Sequence, residues 1–421
     1  MESSRMHADV AIIGAGLVGS ALAIALAKQG LRIVVVERQE RVPELLRGET
    51  IMPAGVDVLD RLGLGDSLRK VCLETHGIVM HHPAFSGGSY SIDYGSAGPP
   101  PDARPVWLPR GFSGWRRPMY EVLRRALHES AEIELLEGHR IEGVQRTSDG
   151  AHALALAGPT ARTLVARLVV GADGRSSQTR KLFGFEPMED VQSNLVQGFV
   201  GRGRAHELRH AHVGVHELGA AFAIPFPDGY FRSTFEFENV HLDALRSGDP
   251  MKQHLELLRE ALPEIHAQLG AEAIEPVTRL QMHPGHTTLL AGIVEDGVAL
   301  VGDAAGCIDP FTGYGMSIGL VDAELLAETV ARSGGDYSAR VLREYERRRQ
   351  PRIAPRRVAT DEVAYMFLNK SEPFAPAYVE RVARRWEGAP FLRPLIALQF
   401  AGYDLPLVPS IGLKHHVFGL L

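Results

Sequence analysis

ADVAIIGAGLVGSALAIALAKQGLRIVVVER, Ala8 to Arg38, holds no charged residue between Val10 and Ala27. A bilayer span needs about 20 continuous apolar residues, and a secretory leader needs a basic start, an apolar stretch and a small-residue cleavage site. Arg5 supplies a basic start, but Gly14, Gly16, Gly19 and Ser20 divide the run in two. Asp9–Ile13 reads as a continuously apolar strand, Leu17–Gln29 as an Ala- and Leu-rich helix, and Leu31–Val36 as a β-branched strand ending at Glu37. That order is a βαβ unit. In its turn Gly14 permits a tight strand-to-helix reversal, Gly16 lets backbone approach a pyrophosphate, and Gly19 lets helix and strand pack closely. The N–H groups and partial positive charge of the helix start suit phosphate. Glu37, 18 residues after Gly19, is placed to accept hydrogen bonds from ribose hydroxyls. The stretch therefore reads as a dinucleotide cradle, with Gly14, Ala15, Gly16, Leu17, Val18, Gly19, Glu37 and Arg38 as its binding set. FAD and NAD both use such a unit.

The chain has 421 residues, more than one ordinary core accommodates at roughly 150 residues per domain. Apolar residues make up 45% and charged residues 23%, in the range of soluble globular proteins. A net charge of −6 gives no general nucleic-acid footprint. Cys72 and Cys307 are the only cysteines, so a disulfide scaffold is excluded and a reducing cytoplasm fits.

Two further stretches end apolar strands in turns. LVVGAD, Leu168–Asp173, continues GRSSQTRKLFG, and VALVGD, Val298–Asp303, continues AAGCIDPFTGYGMSIGLVDAELLAETV. The second leads into an amphipathic helix with Ile318, Val321, Leu325 and Val330 near helical spacing. Asp303 falls at a strand C-terminus, where α/β sheets place ligands. Gly313 and Gly315 let backbone approach a flat ligand, and the helix start behind them favours a delocalised anion.

With these three ordered motifs the chain closely resembles the para-hydroxybenzoate hydroxylase-type (class A) flavoprotein monooxygenases. The resemblance spans most of residues 8–330. It implies an α/β fold with a Rossmann-like, glutathione reductase-type FAD domain, an inserted antiparallel β-sheet substrate domain and C-terminal helices. It assigns the first motif to the ADP part of noncovalently held FAD, and Asp173 to the pyrophosphate or nicotinamide region. Asp303 goes to the ribityl chain, and Pro310, Gly313, Tyr314, Gly315 and Met316 to the face of the isoalloxazine ring. RGETIMP, Arg47–Pro53, resembles the family segment in which Arg47 reaches the phosphate or ribityl region; its Gly48-Glu49 and Pro53 variant also resembles squalene epoxidase-like relatives. In WRRPMYEVL, Trp115–Leu123, Arg116 has the family spacing to Met119 and Leu123, with Arg117 as the other candidate. Gly306-Cys307 stands where many relatives have His, a variant shared with flavin halogenases and geranylgeranyl reductases.

The reaction implied is reduction of FAD by NADH or NADPH, addition of O2 at flavin C4a, and oxygen transfer from the hydroperoxide. The substrate would be an apolar aromatic or conjugated small molecule, hydroxylated or epoxidised. The rivals are a flavin-dependent reductase of isoprenoid double bonds, a halogenase, for which the WxWxIP segment is missing, and a non-enzymatic prenyl-binding escort.

The expected FAD domain is discontinuous, residues 1–75, 107–185 and 285–360. The substrate domain takes 76–106 and 186–284, and 361–421 form a C-terminal helical segment. Strand-like pieces are expected at His76–His82 and Ser89–Tyr94, and in LVQGFV, HVGVHEL, AAFAIPF and FRSTFEFE. Phe222, Ile224, Phe226 and Phe235 are candidates for an apolar wall. HELRH, His206–His210, matches the HExxH zinc pattern, but no long apolar-periodic helix surrounds it, so no metal site is assigned. Cys307 reads as a small buried thiol rather than a covalent flavin link. The Arg343–Arg357 run reads as a solvated helix end. Phe391–Leu413 is broken by Pro394, Pro406 and Pro409 and cannot span a bilayer, which leaves room for peripheral membrane contact. A monomer or homodimer is expected.

Overall fold

A computed structural model describes residues 5–42, 50–97, 109–243, 245, 248–368 and 375–404. The opening stretch folds as strand Arg5–Ile13, helix Leu17–Ala27 and strand Ile33–Glu37. Val10 to Ile12 are fully buried, as are Ile33 and Val35. Strands covered on both faces carry continuous apolar runs, and this is the parallel-sheet signature.

The first sheet has a parallel centre in the order Ile133–Glu137, Ile33–Glu37, Arg5–Ile13, Arg162–Gly171, Val298–Leu300. The strand Arg162–Gly171 serves two neighbours. Its first half continues the antiparallel hairpin of Arg140–Arg146 and His152–Ala157, and its last three residues pair with Val298–Leu300. Ile13 is level with Gly171, and Gly171 with Leu300. The three motifs thus leave the sheet side by side at its C-terminal edge. Helices Leu17–Ala27 and Gly315–Arg332 pack together on one face, bringing Leu22, Leu26, Leu320 and Ala323 into one core.

The second sheet runs Glu275–Pro276, Pro187–Arg202, Tyr230–Phe237, Gly219–Pro225, His210–His216, Gly77–His81, Ser89–Asp93, and Gln281–Leu290 lies along Pro187–Gly198. Its pairings are antiparallel except one. His210–His216 runs parallel to Gly77–His81, because a hairpin from an early excursion of the chain docks beside a strand from a later one. Gln281–Leu290 keeps its pairing with this sheet past residue 285, where the sequence reading places a domain boundary. One face of the sheet is covered by helices Pro250–Ala261 and Pro263–Gln268.

Helix Ala339–Leu368 continues through residue 360 and carries Pro351 and Pro355 inside it. Its first half buries Leu342 and Tyr345 in the core of the first sheet. Its second half buries Val363, Met366 and Phe367 in a separate cluster with Trp386 and Phe400 of helices Ala375–Gly388 and Arg393–Phe400. Among the described residues, no helix is long and apolar enough to cross a membrane.

Candidate functional site: a cofactor cleft along the strand ends

Gly14 has φ +107°, and a Cβ there would lie 2.5 Å from the Ala172 carbonyl oxygen; a Cβ on Gly19 would overlap the Gly14 carbonyl oxygen. Both glycines are consumed by packing, and Ala172 brings the second motif against the first. Gly16 is different. Its φ of −71° suits any residue, and a Cβ would meet nothing nearer than Tyr120 Cε1 at 4.0 Å. Gly16 caps a helix that has no side-chain cap, so the first-turn N–H groups lack intrahelical acceptors and border open space. Glu37 sits at the base of this cradle. It accepts the Ala15 N–H at 2.8 Å and the Gln39 N–H at 2.9 Å. Arg38 is exposed at the strand end.

Arg116 stacks on Tyr120, its guanidinium carbon 4.7 Å from the ring centroid. Its buried Nε has no hydrogen-bond partner among the described residues, although a buried cationic donor is costly to leave unmatched. Arg117 is more than half exposed and pairs with Glu121 at 2.8 Å. Of the two arginines it is Arg116 that borders the Gly16 cradle, through Tyr120. Arg47 lies outside the described residues.

Asp173 accepts hydrogen bonds from Ser177 Oγ, the Gln178 N–H at 2.8 Å, the Thr179 N–H at 2.9 Å and Thr179 Oγ1 at 3.1 Å. Its carboxylate is turned into its own loop, so it shapes the turn that carries Ala172 rather than reaching out of it.

The third motif joins the first through Val18. A Cβ on Gly302 would lie 3.2 Å from Val18 Cγ2, and one on Gly319 would overlap it. The Gly302 N–H donates to Asp322 Oδ2 at 3.0 Å, and Asp322 forms a buried ion pair with Arg349 at 2.9 Å. The Tyr345 hydroxyl donates to the Leu300 carbonyl at 2.9 Å. This buried frame fixes the strand end and leaves Asp303 exposed, its Oδ1 3.8 Å from where a Cβ on Gly315 would stand. Asp303 and the start of helix Gly315–Arg332 therefore share one concave surface, continued by Thr288, Cys307, Ile308 and Ile353.

Pro310–Thr312 is a short 3-10 turn ending at Gly313, φ +70°. Asp309 caps it by accepting the Phe311 N–H at 2.9 Å. The Tyr314 side chain points away from the cleft. Its hydroxyl donates to the Gln399 carbonyl at 2.9 Å, and burial pushes the phenol well above its usual range. Only the Tyr314 backbone is available to a ligand, beside exposed Gly315 and half-buried Met316. Burial, with Asp303 next, also pushes the Cys307 thiol up. The Cys307 thiol, half-buried rather than fully buried as expected, lies 3.6 Å from Thr288 Oγ1. Gly306 has φ +108°, and a Cβ would stand 2.7 Å from the Thr288 carbonyl oxygen, so the backbone itself calls for glycine there.

Phe222 meets Phe311 edge-on at 5.1 Å. Cross-strand partners share a face, so Phe222, Ile224, Thr234 and Glu236 form the side of the second sheet turned to the Pro310 turn. Phe235 lies on the opposite face, in the core beneath the helices, because it alternates with Thr234 and Glu236. Phe226 packs on Trp115 at 6.0 Å. The apolar wall is thus Phe222 and Ile224, without Phe235.

The HELRH stretch does not form a helix. Ala205–Glu207 is one 3-10 turn, and His210 begins a strand. The i, i+4 face that an HExxH zinc site requires is not made. Among the described residues no group of three or more His, Cys, Asp or Glu is placed to hold a metal.

The family profile described as "FAD binding domain" matches residues 7–358. The chain belongs to this family of para-hydroxybenzoate hydroxylase-type flavoprotein monooxygenases. This flavoprotein is 31% identical over 406 residues to ubiquinone hydroxylase UbiL of Rhodospirillum rubrum, covering 89% of its own chain and 85% of the relative. It is 26% identical over 324 residues to squalene epoxidase 6 of Arabidopsis thaliana, covering 76% of its own chain but 61% of that longer protein. Its fold is that of p-nitrophenol 4-monooxygenase PnpA from Pseudomonas putida DLL-E4, with a TM-score of 0.77, 23% identity, and 96% of this chain and 100% of that one covered. The flavoprotein is accordingly an oxidoreductase with an FAD-binding domain. Its residues fit the cofactor: an open cradle at Gly16, an orphaned buried guanidinium nitrogen on Arg116, and an exposed carboxylate on Asp303 beside a helix start.

Proposed function

We propose that this flavoprotein holds FAD noncovalently and, with NADH or NADPH and O2, inserts one oxygen atom into an apolar aromatic or conjugated small molecule. The observation that carries the reading is the alignment of the Gly16 cradle, Asp303 and the Pro310–Met316 backbone along one edge of the first sheet, facing the Phe222 wall of the second.

In this reading the Leu17–Gly19 N–H groups and Arg116 hold the pyrophosphate, and Glu37 holds the adenosine ribose. Asp303 takes ribityl hydroxyls, and the backbone of Gly313–Met316 lies along the ring. The start of helix Gly315–Arg332 puts partial positive charge at that end. Bound FAD supplies the two-electron and O2 chemistry. The chain's own work is to orient the ring, to exclude water with Phe222, Ile224 and Phe311, and to present an apolar substrate between the sheets. The relatives named ubiquinone hydroxylase and squalene epoxidase support an apolar, unsaturated substrate and leave hydroxylation and epoxidation both open.

The test is turnover of a panel of apolar phenols, quinones and polyenes under isotopically labelled O2, with NADH and NADPH compared. One labelled oxygen atom per product, with substrate-stimulated oxidation of the nicotinamide, is expected. A product that gains two hydrogens and no label replaces this reading with double-bond reduction, and halide-dependent halogenation replaces it with a halogenase.

A further inference from the structure

Helix Arg393–Phe400 ends in a cap that reaches the flavin cleft. Gly402, at φ +82°, donates its N–H to the Gln399 carbonyl at 3.1 Å, and the Tyr403 N–H donates to the Leu398 carbonyl at 3.1 Å. This is the paired bonding of a glycine-capped helix end. A helix terminus leaves carbonyls without intrahelical donors, and here other elements supply them. The Gln399 carbonyl also accepts the Tyr314 hydroxyl at 2.9 Å. The Ala401 carbonyl accepts the Ala54 N–H, at 3.0 Å, from the first turn of helix Pro53–Arg61. The Gly402 carbonyl accepts Arg356 Nη2. The negative end of one helix thus meets the positive end of another.

Two side chains close the segment from outside. The Tyr403 hydroxyl donates to Asp57 Oδ2 at 2.6 Å, and Asp404 pairs with Arg352 at 3.0 Å and Arg356 at 3.4 Å. Arg352, Arg356 and Thr360 recur every fourth residue of helix Ala339–Leu368 and so lie along one stripe of it. The Thr360 hydroxyl is bonded to that of Thr312 at 2.6 Å. One stripe therefore holds the Pro310–Thr312 turn at one end and the chain after Phe400 at the other. Met52 completes the enclosure: its N–H donates to Ser317 Oγ at 2.8 Å, and its Cε lies 3.1 Å from where a Cβ on Gly313 would stand. The bonds grade from inside to outside. Gln399 and Arg356 are 3% and 5% exposed, whereas Tyr403 is half-buried and Asp404 exposed.

We propose that Gln399–Asp404 is a clamp that positions the ring-facing turn from behind, and that seating of the clamp and binding of FAD favour one another. The proposal rests on the reading of Gly313–Met316 as the backbone that lies along the flavin ring. The clamp acts through Tyr314 and through the Met52–Ala54 segment. A turn already held at one height loses less freedom when a flat ring settles on it. Linked equilibria are reciprocal, so whatever FAD gains from a seated clamp the clamp gains from bound FAD.

The experiment joins hydrogen exchange by mass spectrometry on the full chain, with and without FAD, to FAD titration of variants. FAD is expected to slow exchange of the Ala401–Asp404 amides and of Ala54, and to leave helix Pro250–Ala261, on the other face of the second sheet, unchanged. Tyr314→Phe unties the turn from Gln399, and Tyr403→Phe unties the clamp from Asp57. Each should weaken FAD binding roughly three- to tenfold and reduce the protection that FAD gives the clamp. Ile141→Val, in the core on the opposite face of the first sheet, lowers stability without touching either, and its FAD dissociation constant should stay within roughly twofold of wild type. FAD that binds wild type without slowing exchange at the clamp overturns the linkage. Tyrosine variants that bind FAD no more weakly than Ile141→Val does reduce the segment to a helix cap with no hold on the cofactor. Wild type that binds no FAD overturns the flavin reading together with the linkage, and the titration itself tells that result from failure of the clamp.

Discussion

Gly16→Ala separates cofactor binding from folding. A methyl at residue 16 would have Tyr120 Cε1 as its nearest neighbour, 4.0 Å away, on a backbone at φ −71°. Nothing in the folded chain resists it, and a Gly-to-Ala change at a compatible site narrows the unfolded ensemble and gains about 0.4–1 kcal/mol. The same methyl projects into the space before the first helical turn, where the proposed pyrophosphate would lie against backbone N–H groups. Pushing the phosphate away would cost one charge-assisted hydrogen bond at ~1.5–3 kcal/mol, or roughly ten- to 150-fold in the FAD dissociation constant. Gly19→Ala and Gly14→Ala provide the contrast. The first would overlap the Gly14 carbonyl oxygen; the second forces φ +107° on alanine with its methyl 2.5 Å from Ala172 O. Both should lower the yield of folded protein outright. The assay is thermal unfolding of each purified apo chain by circular dichroism, followed by FAD titration read by flavin fluorescence. Gly16→Ala that binds FAD as wild type does, or that unfolds as readily as Gly19→Ala, would refute the distinction drawn between the three glycines.

Asp303→Ala should fold and weaken FAD retention through gel filtration by roughly ten- to a hundredfold, since a carboxylate acceptor is lost; undiminished flavin content would remove Asp303 from the site. His254 is buried, within 2.9 Å of Ser233 Oγ, and burial lowers its pKa to about 3. The unfolded chain's histidine takes a proton as pH falls through about 6.5 while the folded one does not. Stability should therefore fall with decreasing pH between about 6.5 and 3, at roughly 1.4 kcal/mol per pH unit for this group; in denaturant titrations from pH 6 to 4, His254→Gln should show a slope smaller by about one proton. His210→Ala should leave FAD content unchanged, and metal analysis of wild type should show no stoichiometric zinc; one zinc per chain lost in the variant would reinstate the HExxH reading.

The first βαβ unit was legible because local chemistry and spacing agree there. Continuous apolar runs, three glycines and a terminal acid each have one mechanical reading. Asp303 and Gly315 were legible for the same reason, each marking a strand end or a helix start. What the sequence hides is direction and distance along the chain. TGYG announces a close backbone approach, but not that the Tyr314 ring turns to Gln399. Alternation in FRSTFEF separates two faces without saying which one looks at the cleft, so Phe235 was misplaced. The carboxylate of Asp173 looks like a ligand until its four hydrogen bonds to its own loop are counted. The parallel pairing of Gly77–His81 with His210–His216 is a long-range meeting that no local pattern announces.

The order of strands in the first sheet also sets a timetable for biosynthesis. Arg5–Ile13 emerges before its inner neighbour, Arg162–Gly171, and the last three residues of that strand's far edge are closed only by Val298–Leu300. The adenine end of the cradle can form early, whereas the Asp303–Gly315 end exists only once Val298–Leu300 has followed, about 130 residues after Gly171. At about 5–20 residues per second, that is a wait of roughly 6–25 s, during which the C-terminal end of that strand edge has no partner. Non-local pairing of this kind is slow and exposes strand edges to aggregation. Full engagement of the cofactor is thus a late event in the life of the chain, and overproduction should be limited by chaperone capacity and FAD supply at that moment rather than by the stability of the finished fold.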